Sequence, residues 1–432
     1  KAGEVRVSYN FTGTLEMPDL RDYNLANASE KLEIERLAGL FDKGQANIPS
    51  TAVGMNNYYK KYALIQKGVD TDWMSIPLQN SFNHKHSIYL EGGTPNLRYG
   101  VDGSFNIADG VMKGTERNRY SAGFSLDYRI KNLQVRNYVS FGHTKESPYG
   151  SFSDFSGLQP YDSPYKDDGT LREKLTYSKI SGRDNNNPLY EATLGNYNWN
   201  SYDEVIDNLS FNWYLNDYWT VKGQFSVTKK YSKSEKFIDP LSSKTSVTGS
   251  KDNNLAGDLY TTNGESLDWN SNAFLYYTRS FNKQHNLNVS AGWEAASGTT
   301  ESTNAHYRGF PSGEFHSLNY AAEVYKKPTR TENTTRRVSV LASANYTWND
   351  IYLVDASVRF DGSSEFGANQ KWAPFFSGGL GVNIHNYDFF KSNGYINKLK
   401  LRASYGRTGK VNFPAYAATT MYETLFDEWY IT

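Results

Sequence analysis

The chain has 432 residues, no cysteine, and 46 lysines and arginines against 46 aspartates and glutamates. The zero net charge argues against a nucleic-acid partner, which would favour a basic surplus, and the missing thiols exclude a disulfide framework, a thiolate metal site and a cysteine nucleophile. Hydrophobic residues make up only 38% and aromatics as much as 15%, and no uninterrupted apolar run of about 18 residues occurs, so no transmembrane helix is expected.

The first residues, KAGEVRVSYNFTG, read as a strand with Val5, Val7, Tyr9 and Phe11 on one face. They carry no basic segment followed by an apolar one, so no signal peptide is expected. A long polar stretch follows at about 18–81. Within it, NASEKLEIERLAGLFDKG predicts a helix: Asn27 and Glu30 form a capping-box pattern, Ile34, Leu37, Ala38 and Phe41 share a face, and Gly44 would end it. MNNYYKKYALIQKG (55–68) predicts a second helix.

From residue 87 the apolar residues alternate. Strands are predicted around Ile88 and Leu90, Tyr99 to Ile107, Tyr120 to Ile130, Leu133 to Phe141, Leu209 to Leu215, Trp219 to Val227, Leu267 to Tyr277 and Leu287 to Trp293. They continue at Val338 to Trp348, Tyr352 to Phe360, Trp372 to Ile384 and Leu399 to Tyr405. Period-2 alternation means that one face is apolar and the other polar. The polar faces hold Arg98, Asp102, Asn106, Gln134, Arg136, Lys222, Asn270, Asn288, Glu294, Asn345, Lys400 and Arg402, among others.

A soluble β-sandwich also alternates, but its apolar faces must meet in a core. Here tyrosine, phenylalanine and tryptophan gather towards strand ends, as at Tyr120 and Tyr128 or Tyr346 and Trp348. Aromatic ends around an aliphatic middle match the girdles of an outer-membrane barrel, which faces lipid outside and water inside. Connection lengths agree. Short links at 92–96, 131–132, 215–218, 282–285 and 348–350 take turns with long ones near 18–81, 108–116, 146–204, 232–266, 300–335 and 362–371. The reading is an all-β fold, a transmembrane antiparallel β-barrel of about thirteen or fourteen strands with long extracellular loops.

Several stretches resemble one family: TDW at 71–73, SIYLEGGTPNLRYGVDGSFNIADGVMKGTERNRYSAGFSLDYRI at 87–130, RFDGSSEFGANQKWAPFFSGGLGVNI at 359–384 and KLKLRASYGRTGK at 398–410. In order and spacing along nearly the whole chain they resemble the SusC/RagA-type TonB-dependent transporters of Bacteroidetes outer membranes. Glu365 stands where that family usually has arginine, and Lys410 where it usually has asparagine. The resemblance implies a 22-stranded barrel with an N-terminal plug, a TonB box before the plug and a SusD-like surface lipoprotein as lid. It implies that KAGEVRVSYN is the first barrel strand. On that basis the TonB box, the plug and roughly the last third of the barrel are expected to lie outside this sequence, a fragment that stops at EWYIT without a terminal feature. It also implies that the lid docks on extracellular loops and that the loop after SYGRTGK is a hinge.

No catalytic constellation emerges. HKH at 84–86 shares a strand face in the manner of a metal pair, but only 7 histidines occur and none cluster with it. YKDDGT (165–170) and DNNN (184–187) are oxygen-rich but lack calcium-loop spacing. Asp167 and Asp168 lack a partner histidine, so no glycosidase or protease is supported. No cofactor and no metal are expected. The loop aromatics Tyr149, Phe152, Phe155, Tyr161, Tyr165, Trp199 and Tyr202 are candidate ligand contacts that could stack on sugars or line a peptide path. Arg119, Arg129, Arg136 and Arg402 are expected to face the lumen and meet the plug. The function expected is TonB-driven import of oligosaccharides or oligopeptides through outer-membrane lipid. A passive or structural barrel, such as an adhesin or scaffold, is the alternative, and a soluble all-β binding protein is a third.

Overall fold

The computed structural model describes residues 3–44, 48–148, 150–180, 183–246, 253–366, 371–391 and 396–409. The elements run β1 (Gly3–Glu16), α1 (Ala28–Leu37), α2 (Thr51–Gln66), β2 (Ser81–Gly93), β3 (Leu97–Asp109), β4 (Glu116–Ile130), β5 (Leu133–Ser147), β6 (Lys174–Ile180) and β7 (Arg183–Asn186). They continue with β8 (Tyr197–Tyr214), β9 (Trp219–Ile238), β10 (Asp258–Phe281), β11 (His285–Arg308), β12 (Glu323–Val324), β13 (Thr329–Trp348), β14 (Tyr352–Ser363), β15 (Trp372–Asn383) and β16 (Lys400–Arg407). One 14-stranded antiparallel sheet holds everything except β6 and β7, which form a hairpin of their own. Each long strand pairs with its sequence neighbour in the sheet, so the topology is a meander.

Why a meander forms is visible in the short links. Asn282 and Lys283 both have positive φ (49° and 58°), as do Asn349 and Asp350 (51° and 56°). Successive residues of that kind make the turns whose twist matches antiparallel strands, and asparagine and aspartate tolerate the conformation. At Gly93 (φ 137°) an added Cβ would lie 2.0 Å from the Leu97 carbonyl oxygen, so the β2–β3 turn requires glycine.

Register puts the faces where the alternation predicts. Tyr99 pairs with Leu126, Val101 with Phe124 and Phe105 with Tyr120, and Tyr128 pairs with Val135 across the next ladder. This apolar face is exposed: Tyr120, Phe124, Tyr128, Val340, Phe360 and Leu380 are all open. In water such a surface would drive aggregation, whereas against lipid it is the stable arrangement. Rings gather at the end with the short turns, where Trp219 lies 4.7 Å from Tyr277 and Trp348 lies 5.3 Å from Tyr352. At the other end His86 stacks on Phe105 at 4.5 Å. The opposite face is polar and ion-paired, with Arg136 on Asp127 (3.1 Å), Arg359 on Glu294 (2.8 Å) and Arg402 on Asp355 (3.2 Å).

The strands run further than their apolar alternation. β10 and β11 have 24 residues each, more than twice the roughly 9–11 that cross a bilayer. Much of what reads in sequence as loop at 232–266 and 300–335 is therefore ladder, with Thr300 opposite Asn333 and Lys233 opposite Asn263. Above the membrane both faces are wetted. The sheet there needs no apolar face, and the polar residues that hide it from a periodicity search are suited to it.

The two faces respond differently to charge. Val358 points outward opposite Ala342, and its neighbour Ser357 points inward, bonded to Ser377 at 2.7 Å. Val358→Lys is expected to cost about 2–4 kcal/mol, and Ser357→Lys much less. Urea titration of the barrel in detergent or bilayers, followed by gel mobility, checks the contrast.

Candidate functional site

The long connections fold into a cap at the end of the sheet opposite the short turns. α1 starts at the predicted capping box: Asn27 Oδ1 accepts from the Glu30 amide (2.9 Å) and Glu30 Oε2 from the Asn27 amide (3.0 Å). The helix ends earlier than expected, at Leu37, followed by Gly39 at φ 68° rather than by Gly44. Its buried side is Ala28, Leu32 and Glu35, and Ile34 and Leu37 lie open. The packing partner decides this, because Tyr161 from the 148–196 connection sits against Ala28 and Leu32. α2 starts four residues before the predicted 55–68, with the Ser50 hydroxyl accepting from the Val53 amide. Gly54 lies so close to the Phe41 carbonyl that any Cβ would collide with it at 1.8 Å.

A half-buried cation holds this packing. Lys61 Nζ lies 2.6 Å from Glu35 Oε2 and stands 4.6 Å from the centre of the Tyr161 ring, with Phe41 and Tyr177 at 5.5 and 5.7 Å. Tyr161 Oη donates to the same Glu35 oxygen at 3.3 Å. Burial, then the Glu35 charge, pushes the Tyr161 phenol well up, so it stays a donor. A second core joins Trp73, Phe155 and Leu175; the tryptophan of the TDW motif is thus a packing residue, its indole N–H on Gln159 O at 3.0 Å.

Carboxylates tie the connections together. Asp162 accepts the amides of Thr176 (2.8 Å), Tyr177 (3.0 Å) and Ser178 (2.7 Å). Glu191 accepts from the Ser242 hydroxyl and from the Ser243 amide and hydroxyl at 2.7 Å each, and from Asn186 at 2.7 Å, joining the 148–196 connection to the one after β9. Burial pushes the Glu191 carboxyl up, but these hydrogen bonds outweigh it and hold the group below its ordinary value. Asp258, fully buried, binds His306 Nε2 at 2.7 Å and Thr245 Oγ1 at 2.8 Å.

The candidate ligand aromatics do not form one surface. Tyr149 lies outside the described residues. Phe155 and Tyr161 are 8% and 1% exposed; both are spent on the cores of the cap, which removes them from an open ligand surface. Phe152 packs edge-on against Tyr23 at 6.1 Å. Tyr165 is open at the surface. Trp199 and Tyr202 are three residues apart in β8 and so lie on opposite faces, Trp199 outward and Tyr202 inward. Of the six that are described, Tyr202 alone lies on the lumenal wall of the sheet, with Lys230 3.8 Å from its ring centre.

The other motifs also have structural places. His84 and His86 lie on the outward, lipid-side face, where His86 Nδ1 and Tyr9 Oη are 2.6 Å apart. Asp168 closes a turn on Thr170 (2.9 and 2.6 Å), and Asn187 bonds the carbonyls of Pro164 and Arg172 at 2.9 Å. Among the described residues no group of three or more histidines and acids is arranged to hold a metal. Lys410 and the proposed hinge after it lie outside the described residues. Sequence reasoning missed Glu35, Lys61, Asp162 and Glu191, whose partners are distant in the chain and leave no local pattern.

No family model matches the chain. It is 27% identical over 373 residues to "TonB-dependent receptor P3" of Formosa agariphila, across 84% of this chain and 36% of that protein. It is 22% identical to "TonB-dependent receptor SusC" of Bacteroides thetaiotaomicron, across 79% of this chain and 35% of that protein. The solved "RagAB peptide transporter" superposes with a TM-score of 0.73 at 19% identity, covering 94% of this chain and 47% of that one. In sequence and in fold the chain is similar to the SusC/RagA-type TonB-dependent proteins. A SusC/RagA-type chain is an outer-membrane protein, and its relatives are receptors and transporters rather than enzymes. This one spans roughly a third of the length of the curated relatives it matches.

Two outcomes follow from the cap. Lys61→Ala leaves Glu35 buried without its cation, which costs about 3–5 kcal/mol; faster proteolysis within 148–196, with barrel mobility on gels unchanged, is expected. The second concerns acid. Because the folded Glu191 value is depressed, its contribution is complete above the unfolded value of about 4.3 and is lost as pH falls through the folded one. Hydrogen exchange in 186–196 should therefore accelerate below about pH 4, and Glu191→Gln should flatten that dependence.

Proposed function

We propose that the parent protein imports oligosaccharides or oligopeptides actively across the outer membrane, driven by TonB and capped by a SusD-like lipoprotein. The observation that carries this reading is the pairing of a lipid-facing wall and a polar lumenal wall with a folded extracellular cap. A passive pore needs no such cap. The cap offers a docking surface: Ile34, Leu37, Tyr59 and Tyr62 are open apolar side chains on α1 and α2. The likeness in fold to a transporter described as carrying peptides, and the sequence likeness to SusC, support import as the activity.

The lumenal wall supplies hydrogen-bonding groups along its strands, such as Gln134, Asn208 and Ser290. In this cycle the ligand is captured beneath the lid, and a pull from TonB rearranges the plug to release it inward. No covalent step is involved, so the work is mechanical and the specificity lies in the walls and the cap.

Deleting the TonB box from the full-length parent is expected to leave ligand binding intact and abolish uptake, as read by radiolabelled substrate in energised cells. Normal uptake by that variant would overturn the mechanism. Purification of the parent from native membranes in mild detergent, followed by mass spectrometry, should return a lipoprotein and a bound glycan or peptide. A lone, ligand-free barrel would favour the adhesin or scaffold reading.

A further inference from the structure

The lumenal wall of β2 to β9 carries one continuous row of side chains with no carboxylate. Lys85 pairs in register with Asn106, Asn106 with Arg119, Arg119 with Thr144, Thr144 with Tyr202 and Tyr202 with Ser232. All six therefore share the inward face and lie side by side across six strands. Five inter-strand steps of about 4.8 Å give a path of about 24 Å. Lys85 and Arg119 are exposed, and neither forms an ion pair with a described residue. They stand two strands apart, about 10 Å.

The rows on either side do not cancel this charge. Above, Arg117 already holds Glu146 at 2.8 Å. Below, Glu204 lies opposite Lys230, the lysine stacked on Tyr202. Four cations thus face two carboxylates, and the two cations left over both belong to the carboxylate-free row. Elsewhere on the same wall some arginines are matched, as Arg136 by Asp127 and Arg402 by Asp355. What sets the row apart is that two exposed cations stand two strands apart in it with no carboxylate between them, in a place open to the lumen.

We infer that this row is a binding rail for a linear acidic oligosaccharide, its carboxylates received by Lys85 and Arg119 and its hydroxyls by Asn106, Thr144, Tyr202 and Ser232. The inference rests on the importer reading and names its substrate class. The spacing of the cations is about two sugar units, so every second acid group of a uronic-acid chain can meet one. Amide and hydroxyl side chains both donate and accept, as sugar hydroxyls do, and an ionised carboxylate bound to lysine or arginine makes the stronger class of hydrogen bond. A peptide is served less well. The row presents no aliphatic pocket, and each of the six strands that carry it is paired on both sides, so none of them offers an open edge for strand addition.

The test uses the full-length parent in detergent, titrated calorimetrically with an oligogalacturonate, a maltooligosaccharide of equal length and an oligoglutamate. The oligogalacturonate should bind more tightly than the neutral chain and more weakly as salt rises. Arg119→Gln and Lys85→Gln should each lower its affinity about tenfold, flatten the salt dependence and leave thermal stability and neutral-chain binding unchanged. Equal affinity for the acidic and neutral chains, or an unaltered double variant, would overturn the rail. Tighter binding of oligoglutamate than of oligogalacturonate would overturn the sugar assignment. Oligogalacturonate binding without energy-dependent uptake in cells would overturn the importer reading and leave the rail standing.

Discussion

A backbone in hydrocarbon has no water to bond, so every amide and carbonyl must find a partner within the sheet. That constraint shapes this molecule. It demands paired strands, which a meander with tight turns supplies for every strand between the two ends of the path, and it makes each of those strands present one face to lipid and the other to the lumen. The sheet then carries alternation as its only hydrophobic pattern. No aliphatic core is needed, and the 38% hydrophobic content follows from that rather than from disorder.

Outside the membrane the constraint lifts, and ordinary folding returns. The cap has small apolar cores around Tyr161, around Trp73 and around Phe237. Each is too small to hold long connections alone, and buried polar groups do the rest. Lys61 and Glu35 tie α2 to α1, Asp162 gathers three amides of β6, and Glu191 clamps two connections together. A buried charge is costly unless fully partnered, so these contacts specify one arrangement of the cap over the mouth. The strands beneath rise above the bilayer as a scaffold for it, and the lumenal wall runs on from lipid depth to the cap without a break.

The two levels of organisation were not equally legible. The faces of RYSAGFSLDYRI could be assigned from alternation alone, because a strand's side-chain period is fixed by backbone geometry. The capping box at Asn27 was legible because it is a four-residue interaction. The buried side of α1 was not, since Ile34 and Leu37 look like the apolar face until Tyr161 arrives from more than a hundred residues away. The candidate ligand aromatics are dispersed for a related reason. Chemistry alone does not tell Tyr161, sealed in a core, from Tyr202, open to the lumen.

What the sequence by itself determined is the wall: which segments are strands, which residues face lipid, and where the short turns fall. These depend on period and turn chemistry, both local. Only the tertiary structure decided the length of β10 and β11, the packing of the cap and the register that sets Lys85, Asn106, Arg119 and Tyr202 in one row. Those depend on which residues meet across strands and loops. A shift of one residue in any ladder would leave the local pattern of each strand unchanged and send its inward residues to the lipid.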